Sequence, residues 1–294
     1  MQHGQVIAAF GRQYLVQLDD GNTLSCLTRG KKSEAACGDL VEIRLTGKAS
    51  SGNHREQGVI ERILPRNALL HRSDAYREKL IAANVTQIIL VVAAEPAFSD
   101  ELLARSLVAA FNQRLDALII LNKCDLVEAA ARARKVLATY SAIGYRVLEL
   151  SALHDSSPLR PFLSGHTSVL VGQSGMGKST LINALLPEAQ AETNAISSAL
   201  NSGKHTTTHA RLYRLDTHTA LIDCPGVQAF GLNHLSFGEI EQGFIEFAPY
   251  LGQCRFHNCH HLHEPGCAIR EAAASGKIDA RRLELFQQIS QAEF

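Results

Sequence analysis

The stretch Gly172-Gln173-Ser174-Gly175-Met176-Gly177-Lys178-Ser179-Thr180 determines how the rest of the chain is interpreted. It follows the apolar run 168–171 and precedes the helix-like run 181–186, so it is G-x-x-x-x-G-K-[ST] between a strand and a helix. Glycines at these places let successive backbone N–H groups curl around phosphate oxygens at the positive end of the helix. We expect Lys178 to reach the β- and γ-phosphates, where it is also catalytic, and Ser179 to ligate Mg²⁺.

Length and composition set wide bounds. The 294 residues suffice for two or three domains, and 46% hydrophobic with 20% charged residues is typical of soluble proteins. The sequence has no apolar run of about eighteen residues and no leader-like start, so we expect a cytoplasmic protein without a membrane partner. A formal net charge of +0 excludes a globally basic nucleic-acid binder, so any nucleic-acid contact must come from local patches.

Residues 1–64 contain five short stretches of alternating polarity, separated by turns rich in Gly, Asn and Asp. The stretches are 4–9, 13–18, 23–27, 39–45 and 58–63. This pattern predicts a small closed barrel of the oligonucleotide-binding (OB) type. Arg29, Lys31 and Lys32 could contact nucleic-acid phosphates, although a short basic run is also typical of a solvated loop.

The hydrophobic pattern changes after residue 64. The sequence predicts a connecting helix over 73–83, and from residue 84 onward buried strands alternate with amphipathic helices. The predicted strands are 87–92, 117–121, 145–150, 168–171 and 220–222, and the predicted helices are 99–112 and 128–141. Such alternation is typical of an α/β domain whose parallel sheet carries helices on both faces.

Two polar motifs follow strands of this predicted sheet. Asn122-Lys123-Cys124-Asp125 is an N-K-x-D sequence at the carboxyl end of a strand, where open α/β sheets bind ligands. The Asp125 carboxylate can accept from the N1–H and N2–H of guanine, donors that adenine lacks, while Asn122 and the Lys123 stem brace the loop and cover the base. Ser151-Ala152-Leu153 ends the next strand, and its backbone N–H groups could bind the guanine O6. The ligand predicted from both motifs is GTP or GDP.

Two further motifs follow the phosphate loop. The long polar stretch 189–210 includes Gly203-Lys204-His205-Thr206-Thr207-Thr208 and has the place of a switch segment that supplies a threonine, here Thr207, to Mg²⁺. The strand 220–222 ends in Asp223-Cys224-Pro225-Gly226, a D-x-P-G motif. We expect Asp223 to hold Mg²⁺ through water and the Gly226 N–H to meet the γ-phosphate.

The order of the motifs is unusual, because N-K-x-D and S-A-x precede the phosphate loop, whereas in most GTPases they follow it. The same sheet can form with its chain ends moved, since the termini of compact domains often lie close together. The sequence therefore predicts a circularly permuted P-loop GTPase domain. Its D-x-P-G motif leads directly into the C-terminal region, which provides a short path for nucleotide-dependent movement there.

Residues 254–267 bring together three cysteines, Cys254, Cys259 and Cys267, and four histidines. Soft and borderline ligands at this density predict one structural, tetrahedral Zn²⁺ site. The spacing leaves the fourth ligand open among His257, His260, His261 and His263. An amphipathic helix over 278–294 is predicted to pack on this region.

These motifs together resemble the circularly permuted, small-ribosomal-subunit-dependent GTPases of the RsgA/YjeQ family. The resemblance covers essentially the whole chain and is carried by N-K-x-D at Asn122, G-Q-S-G-x-G-K-S-T at Gly172, G-K-H-T-T-T at Gly203, D-x-P-G at Asp223 and C-x₄-C-x-H-x₅-C at Cys254. The resemblance implies zinc ligands Cys254, Cys259, His261 and Cys267. It also implies binding to the small (30S) ribosomal subunit and its rRNA late in maturation, and GTP hydrolysis that the subunit stimulates.

On this basis we expect three domains: an OB-fold barrel at 1–64, a circularly permuted GTPase domain at 65–231 and a zinc-binding helical domain at 232–294. We also expect the protein to be a monomer. Two other functions remain open, a nucleotide-gated RNA-binding module and a GTPase switch that acts on a protein partner.

The glutamine that follows D-x-x-G in many GTPases and orients the attacking water is missing, because Val227 occupies its place. We therefore expect slow intrinsic hydrolysis. His205 is the candidate for the missing polar group, since a neutral imidazole can orient or deprotonate water, and Gln228 is the second choice.

Overall fold

The five predicted N-terminal strands form a closed barrel in the structure, a computed structural model that describes residues 1–29, 35–48, 56–74, 77–186, 210–224 and 231–293. The strands are β1 (Gln2–Phe10), β2 (Gln13–Leu18), β3 (Thr23–Thr28), β4 (Leu40–Lys48) and β5 (Glu56–Ile63). They pair in the order β1-β2-β3-β5-β4, and β4 closes the barrel on β1. Only β3 and β5 are parallel, so the barrel is OB-like as predicted, around Val6, Val16 and Ile43.

The predicted connecting helix over 73–83 is wrong, because this segment belongs to a β-hairpin. Its strands are β6 (Leu69–Asp74) and β7 (Arg77–Ala83), with Leu70 opposite Ala82. Ala83 N–H donates to Cys37 O at 2.8 Å, and Cys37 forms a β-bridge with Ala82. The loop before β4 therefore pairs with strand β7. These non-local contacts outweigh the local helix propensity of the segment.

The predicted α/β sheet is confirmed. Its strands are β8 (Gln87–Ala93), β9 (Asp116–Asn122), β10 (Arg146–Glu149), β11 (Thr167–Val171), β12 (Arg211–Arg214) and β13 (Ala220–Asp223). They lie in the order β10-β9-β8-β11-β13-β12, all parallel except β12, which the sequence did not predict. A single register pair, Ala8 with Arg211, joins β12 to β1 and makes the barrel and this sheet continuous.

Helices cover both faces of the sheet. They are α1 (Asp100–Asn112), α2 (Val127–Ala142), α3 (Arg160–Leu163) and α4 (Lys178–Leu185). Alternate residues of β8 point to opposite faces: Leu90 packs in one core with α1 and α2, and Val91 in a second core with α3 and α4. A strand that is buried on both sides explains why residues 87–93 lack polar alternation.

The C-terminal region is helical, with α5 (Phe237–Gln242), a 3₁₀ helix (Ile245–Tyr250), α6 (Ala268–Ala274) and α7 (Ala280–Glu293). Phe244, Phe247 and Phe286 pack with ring centroids 5.2–5.3 Å apart. This cluster shares one core with Leu103 and Leu107 of α1. Among the helices that the structure describes, none is both long and apolar enough to cross a bilayer. The domain boundaries at residues 64 and 231 stay predictions.

Candidate nucleotide site and metal centre

The phosphate loop lies at the carboxyl edge of the sheet, between β11 and the first turn of α4. Gly177 caps α4 with a φ of +90°, a conformation that side chains disfavour, and a Cβ there would lie 2.3 Å from Asn122 Nδ2. A Cβ on Gly172 would lie 2.2 Å from Val91 O. Both glycines are therefore required by close approach of neighbouring strand ends. The first turn of α4 carries Ser179, which is exposed, and Thr180, while Ser174 and Gly175 form the exposed tip of the loop.

Lys178 curls back over this loop, and its Nζ donates to Gly172 O and to Gln173 O. An ammonium has three donors, so these two carbonyls leave one for a phosphate oxygen. Burial lowers the pKa of Lys178, and the neighbouring Asp223 carboxylate partly opposes that shift. Burial likewise raises the pKa of Asp223, at the end of β13, and Lys178 opposes it. The two groups thus stabilise each other's charged forms.

Asn122 connects three of the predicted motifs. Its side chain is 1% exposed, and Nδ2 donates to Met176 O in the phosphate loop at 2.9 Å. Oδ1 accepts from Lys123 N–H at 2.8 Å and from Ala152 N–H at 2.9 Å. The amide therefore braces the base loop, the S-A-x segment and the phosphate loop against one another. The Ala152 N–H, predicted to bind the guanine O6, is thus already engaged by Asn122.

The residues predicted to recognise the base lie together on the exposed side of this junction. A hydrogen bond from the Ser151 hydroxyl is the main reason that the pKa of Asp125 is lowered, so its carboxylate is held as an acceptor. Ser151 Oγ also lies 2.9 Å from His154 Nδ1, a contact that the sequence did not predict. Cys124 Sγ donates to Leu121 O at 3.1 Å, and burial raises the pKa of the thiol. Cys124 therefore supports the loop from behind.

A segment that the sequence analysis overlooked forms a further wall of the site. Residues 94–99 connect β8 to α1, and Lys123 Nζ donates to Glu95 O at 2.8 Å. Ser99 N–H donates to the Gln173 side chain of the phosphate loop at 2.7 Å. Ser99 also caps α1 by accepting from Leu102 N–H. The Ser99-Asp100-Glu101 cap was visible in the sequence, but its proximity to the phosphate loop was not.

Seven residues with roles in the sequence analysis lie outside the described residues. They are Lys31, Lys32, His205, Thr207, Gly226, Val227 and Gln228. Arg29 is described, and its Nη1 lies 2.7 Å from Glu61 Oε2, while its side chain is 75% exposed. Glu61 also pairs with Arg44, so this surface of the barrel carries two cations for one carboxylate.

Cys254, Cys259, His261 and Cys267 converge, with one ligand atom from each lying within 4.8 Å of the others. His261 Nδ1 lies 3.2 Å from Cys267 Sγ and 3.6 Å from Cys254 Sγ, and these two sulfurs are 3.9 Å apart. A tetrahedral zinc ion with bonds of about 2.0–2.3 Å requires ligand separations of about 3.5–3.8 Å. The four side chains therefore fit Zn²⁺, and among the four histidines left open, it is His261 that joins the cysteines.

Two carboxylates support this cluster, and the sequence analysis missed both. The imidazole Nε2 of His261 contacts the Glu241 carboxylate of α5, which leaves Nδ1 for a metal. Glu264 accepts from the backbone N–H groups of His260, Leu262 and His263. Partial burial raises the pKa of Glu264, but these donors outweigh it and lower the pKa to about 2. Burial raises the pKa of the Cys259 thiol, and a bound metal cation would favour its thiolate form.

The family described as RsgA GTPase matches residues 63–233, which include all the nucleotide motifs and more than half of the chain. The chain belongs to the RsgA GTPase family. Membership makes it a GTP hydrolase and implies a guanine nucleotide and Mg²⁺ as its ligands.

Curated relatives of the RsgA family match nearly the whole chain. The small ribosomal subunit biogenesis GTPase RsgA of Nitrosospira multiformis is 54% identical over 97% of this chain and 89% of its own length. The protein of the same name from Burkholderia pseudomallei is 53% identical over 97% of this chain and 90% of its own.

Solved structures agree with the fold. YjeQ from Thermotoga maritima matches with a TM-score of 0.73 and 28% identity over 99% of this chain and 98% of its own. YloQ, described as a circularly permuted GTPase, matches with a TM-score of 0.71 and 25% identity over 100% of this chain and 95% of its own. The permutation predicted from the motif order is confirmed: the base-recognition loops after β9 and β10 precede the phosphate loop along the chain.

Proposed function

We propose that this chain hydrolyses GTP to GDP and phosphate on the small (30S) ribosomal subunit late in its maturation, and that the subunit accelerates the reaction. The observation that carries the proposal is the junction at Asn122, whose amide holds the base loop and the phosphate loop together at one edge of the sheet. The names of the curated relatives support the choice of partner. The exposed cations Arg29 and Arg44 on the OB-like barrel support a contact with rRNA.

Guanine recognition is assigned to Asp125, whose carboxylate would accept from the N1–H and N2–H of the base while the Ser151 hydroxyl orients it. Residues 172–180 would surround the phosphates, with the remaining donor of Lys178 on the transferred group. Ser179 and Thr207 would hold Mg²⁺, and Asp223 would do so through water, which neutralises charge on the phosphate oxygens. The Gly226 N–H would contact the γ-phosphate.

Water activation is assigned to His205, because Val227 cannot hydrogen-bond the attacking water. The zinc ligands Cys254, Cys259, His261 and Cys267 serve a structural role, since three thiolates and an imidazole close the coordination sphere. We place the protein in the cytoplasm as a monomer, consistent with a ribosomal partner.

The deciding experiment measures GTP hydrolysis with purified small subunits, with large subunits and with neither. We expect turnover to rise at least tenfold with small subunits only. Equal stimulation by large subunits would argue for a GTPase that acts on another partner. In the same assay His205→Ala should lose most of the stimulated kcat at saturating GTP, whereas His218→Ala, in the turn before β13, should not.

Base assignment has its own test. Asp125→Asn should weaken GTP binding and gain binding of xanthosine triphosphate, because the new amide can donate to the xanthine carbonyl that replaces the N2 amine. Asp155→Asn is the matched control: this carboxylate accepts from Ser157 N–H at 2.8 Å in the neighbouring loop, and an amide oxygen preserves that contact. Unchanged guanine selectivity in Asp125→Asn would overturn the assignment.

A further inference from the structure

Helix α1 begins beside the candidate nucleotide site, and its last residue, Asn112, donates to Glu239 O of α5 at 3.1 Å. Its leading segment, residues 94–99, contacts the phosphate loop through the 2.7 Å hydrogen bond from Ser99 N–H to Gln173 Oε1. The same segment contacts the base loop through Glu95 O, which accepts from Lys123 Nζ. A Cβ on Gly175 would touch the Pro96 ring at 3.5 Å. Both nucleotide loops therefore lie against the start of one helix.

The first turn of α1 is tied to the terminal helix α7. Asp100 Oδ2 accepts from Arg281 Nε at 2.8 Å, and Asp100 Oδ1 accepts from Arg281 Nη2 at 3.0 Å. This two-point contact fixes orientation as well as distance. A second ion pair joins Arg105 of α1 to Glu293 at the end of α7, with the two side chains only 11% and 6% exposed.

The body of α1 is packed too tightly against the C-terminal region to slide independently. Leu103 and Leu107 share a core with Phe286 and Ile289 of α7. Gly243, just after α5, approaches α1 so closely that a Cβ would lie 2.8 Å from a Val108 methyl group. Close-packed interfaces of this kind transmit a shift rather than absorb it. This packing gives a displacement at the start of α1 a direct route to α7.

We propose that Gln173 is a positioning residue. Its side chain holds the N-terminus of α1 against the phosphate loop, so that when the phosphate loop becomes ordered, α1 and α7 become ordered with it. Gln173 occupies an unspecified position of the general G-x-x-x-x-G-K-[ST] motif, so phosphate binding by that motif does not itself require the Gln173 side chain. The inference rests on nucleotide binding at residues 172–180 as proposed above. Nucleotide that orders the loop then also orders α1, because the loop accepts one of the first N–H groups at the helix start.

Hydrogen exchange of the full chain with and without saturating GDP tests this path. In the wild type, GDP should slow exchange in the phosphate loop, in the first turn of α1 and in α7. Gln173→Met keeps the length of the side chain but removes its acceptor, and should weaken GDP binding about fivefold, the loss expected for one hydrogen bond. At saturating GDP it should keep protection in the phosphate loop but lose at least half of it in α1 and α7.

Two further variants separate the steps. Arg281→Met should keep GDP-dependent protection in the first turn of α1 and reduce it at the start of α7, where the two-point contact with Asp100 is lost, while the packed remainder of α7 keeps it. Arg62→Met, which removes an exposed 2.7 Å ion pair with Glu42 in the barrel, should leave the wild-type pattern intact. Wild-type protection of α7 in Gln173→Met overturns the inference, as does GDP protection confined to the phosphate loop in the wild type. No GDP protection at all in the wild type would instead refute the proposed nucleotide site.

Discussion

Asn122 shows how one buried amide can assemble a site from separate pieces of chain. Its three hydrogen bonds use both donor and acceptor capacity on backbone groups of Lys123, Ala152 and Met176. Removal of a buried partner leaves each of these groups unpaired, which costs more than the hydrogen bond itself contributes. The N-K-x-D motif predicts that Asn122 matters, but only the packed strands identify its partners.

Gly177→Ala should disrupt this junction. The backbone φ of +90° costs a side-chain-bearing residue about 1–2 kcal/mol, and the added Cβ would lie 2.3 Å from Asn122 Nδ2. We expect GDP affinity to fall roughly tenfold or more, and the free energy of unfolding to fall by about 2–4 kcal/mol. Calorimetric titration and urea unfolding measure the two quantities.

Gly144→Ala is the matched control for that change. Gly144 has a φ of +105°, but a Cβ added there would meet nothing within 4 Å, so only the backbone penalty applies. It should lose about 1–2 kcal/mol of unfolding free energy and bind GDP normally. Equal GDP affinities in the two variants would contradict the role given to the close approach.

Glu241→Gln should weaken zinc binding about 10- to 100-fold, because the carboxylate orients the His261 ring and raises the basicity of its other nitrogen. Competition with a chromophoric chelator measures the affinity. The exposed Glu271 on α6 offers a control, since its substitution by Gln should leave zinc affinity unchanged. Tight zinc binding by Glu241→Gln would mean that the carboxylate is dispensable.

At the scale of elements, the hydrophobic pattern of the sequence distinguished strands from helices correctly where a single periodicity dominated. Continuous apolar runs identified β8 and β9 as internal strands, and alternation identified the barrel strands. The hairpin β6–β7 was missed because the sequence of its second strand, β7, is locally typical of a helix. Strand β7 is stabilised instead by pairing with β6 and by the β-bridge from Cys37 to Ala82. Strand β12 was missed because it begins and ends with arginine and buries only Leu212, so it lacks the continuous apolar run that marks β13.

The ion pair between Asp100 of α1 and Arg281 of α7 predicts that the stability of the protein depends on pH. Hydrogen bonding from Arg281 is the main reason that the pKa of Asp100 is lowered, so the folded state favours the carboxylate more than the unfolded chain does. Such a group adds stability above its unfolded pKa of about 3.9, and that stability is lost as the pH falls through the folded pKa. The Arg281 and Asp100 side chains are 47% and 25% exposed, so solvent screening limits the contribution to about 0.5–1 kcal/mol.

We therefore expect Arg281→Met to unfold more easily than the wild type at pH 7, and the difference to narrow between about pH 5 and pH 3. Urea unfolding at several pH values measures it. A difference that stays constant across this range would show that Arg281 contributes only through packing.

At the scale of the whole molecule, the described residues form one hydrophobic core confined to the barrel and another that extends from the sheet into the C-terminal region. The barrel has its own core around Val16 and Ile43, whereas the face of the sheet that carries α1 shares one core with the region of the Cys₃His cluster. The C-terminal region is thus packed as part of the GTPase body, although the sequence separates them.

Removal of zinc should therefore lower local stability beyond the C-terminal region as well as within it. Chelation should speed hydrogen exchange in α5–α7 and also in α1, because α1 loses support from Phe244 and Phe286. Exchange in barrel strands β2 and β3 should not change and serves as the internal control. Faster exchange confined to residues 237–293 would contradict a shared core.

The sequence alone determined the ligand chemistry, because that chemistry depends on residue type and local spacing: a phosphate loop between strand and helix, a carboxylate suited to guanine, and cysteines close enough for one metal. It also determined the permuted order, since motif order is a property of the chain. Tertiary structure decided the rest. The bracing by Asn122 and the hydrogen bond from the start of α1 to Gln173 join residues 30 to 74 positions apart. Contacts at such separations arise from packing, which no local pattern encodes.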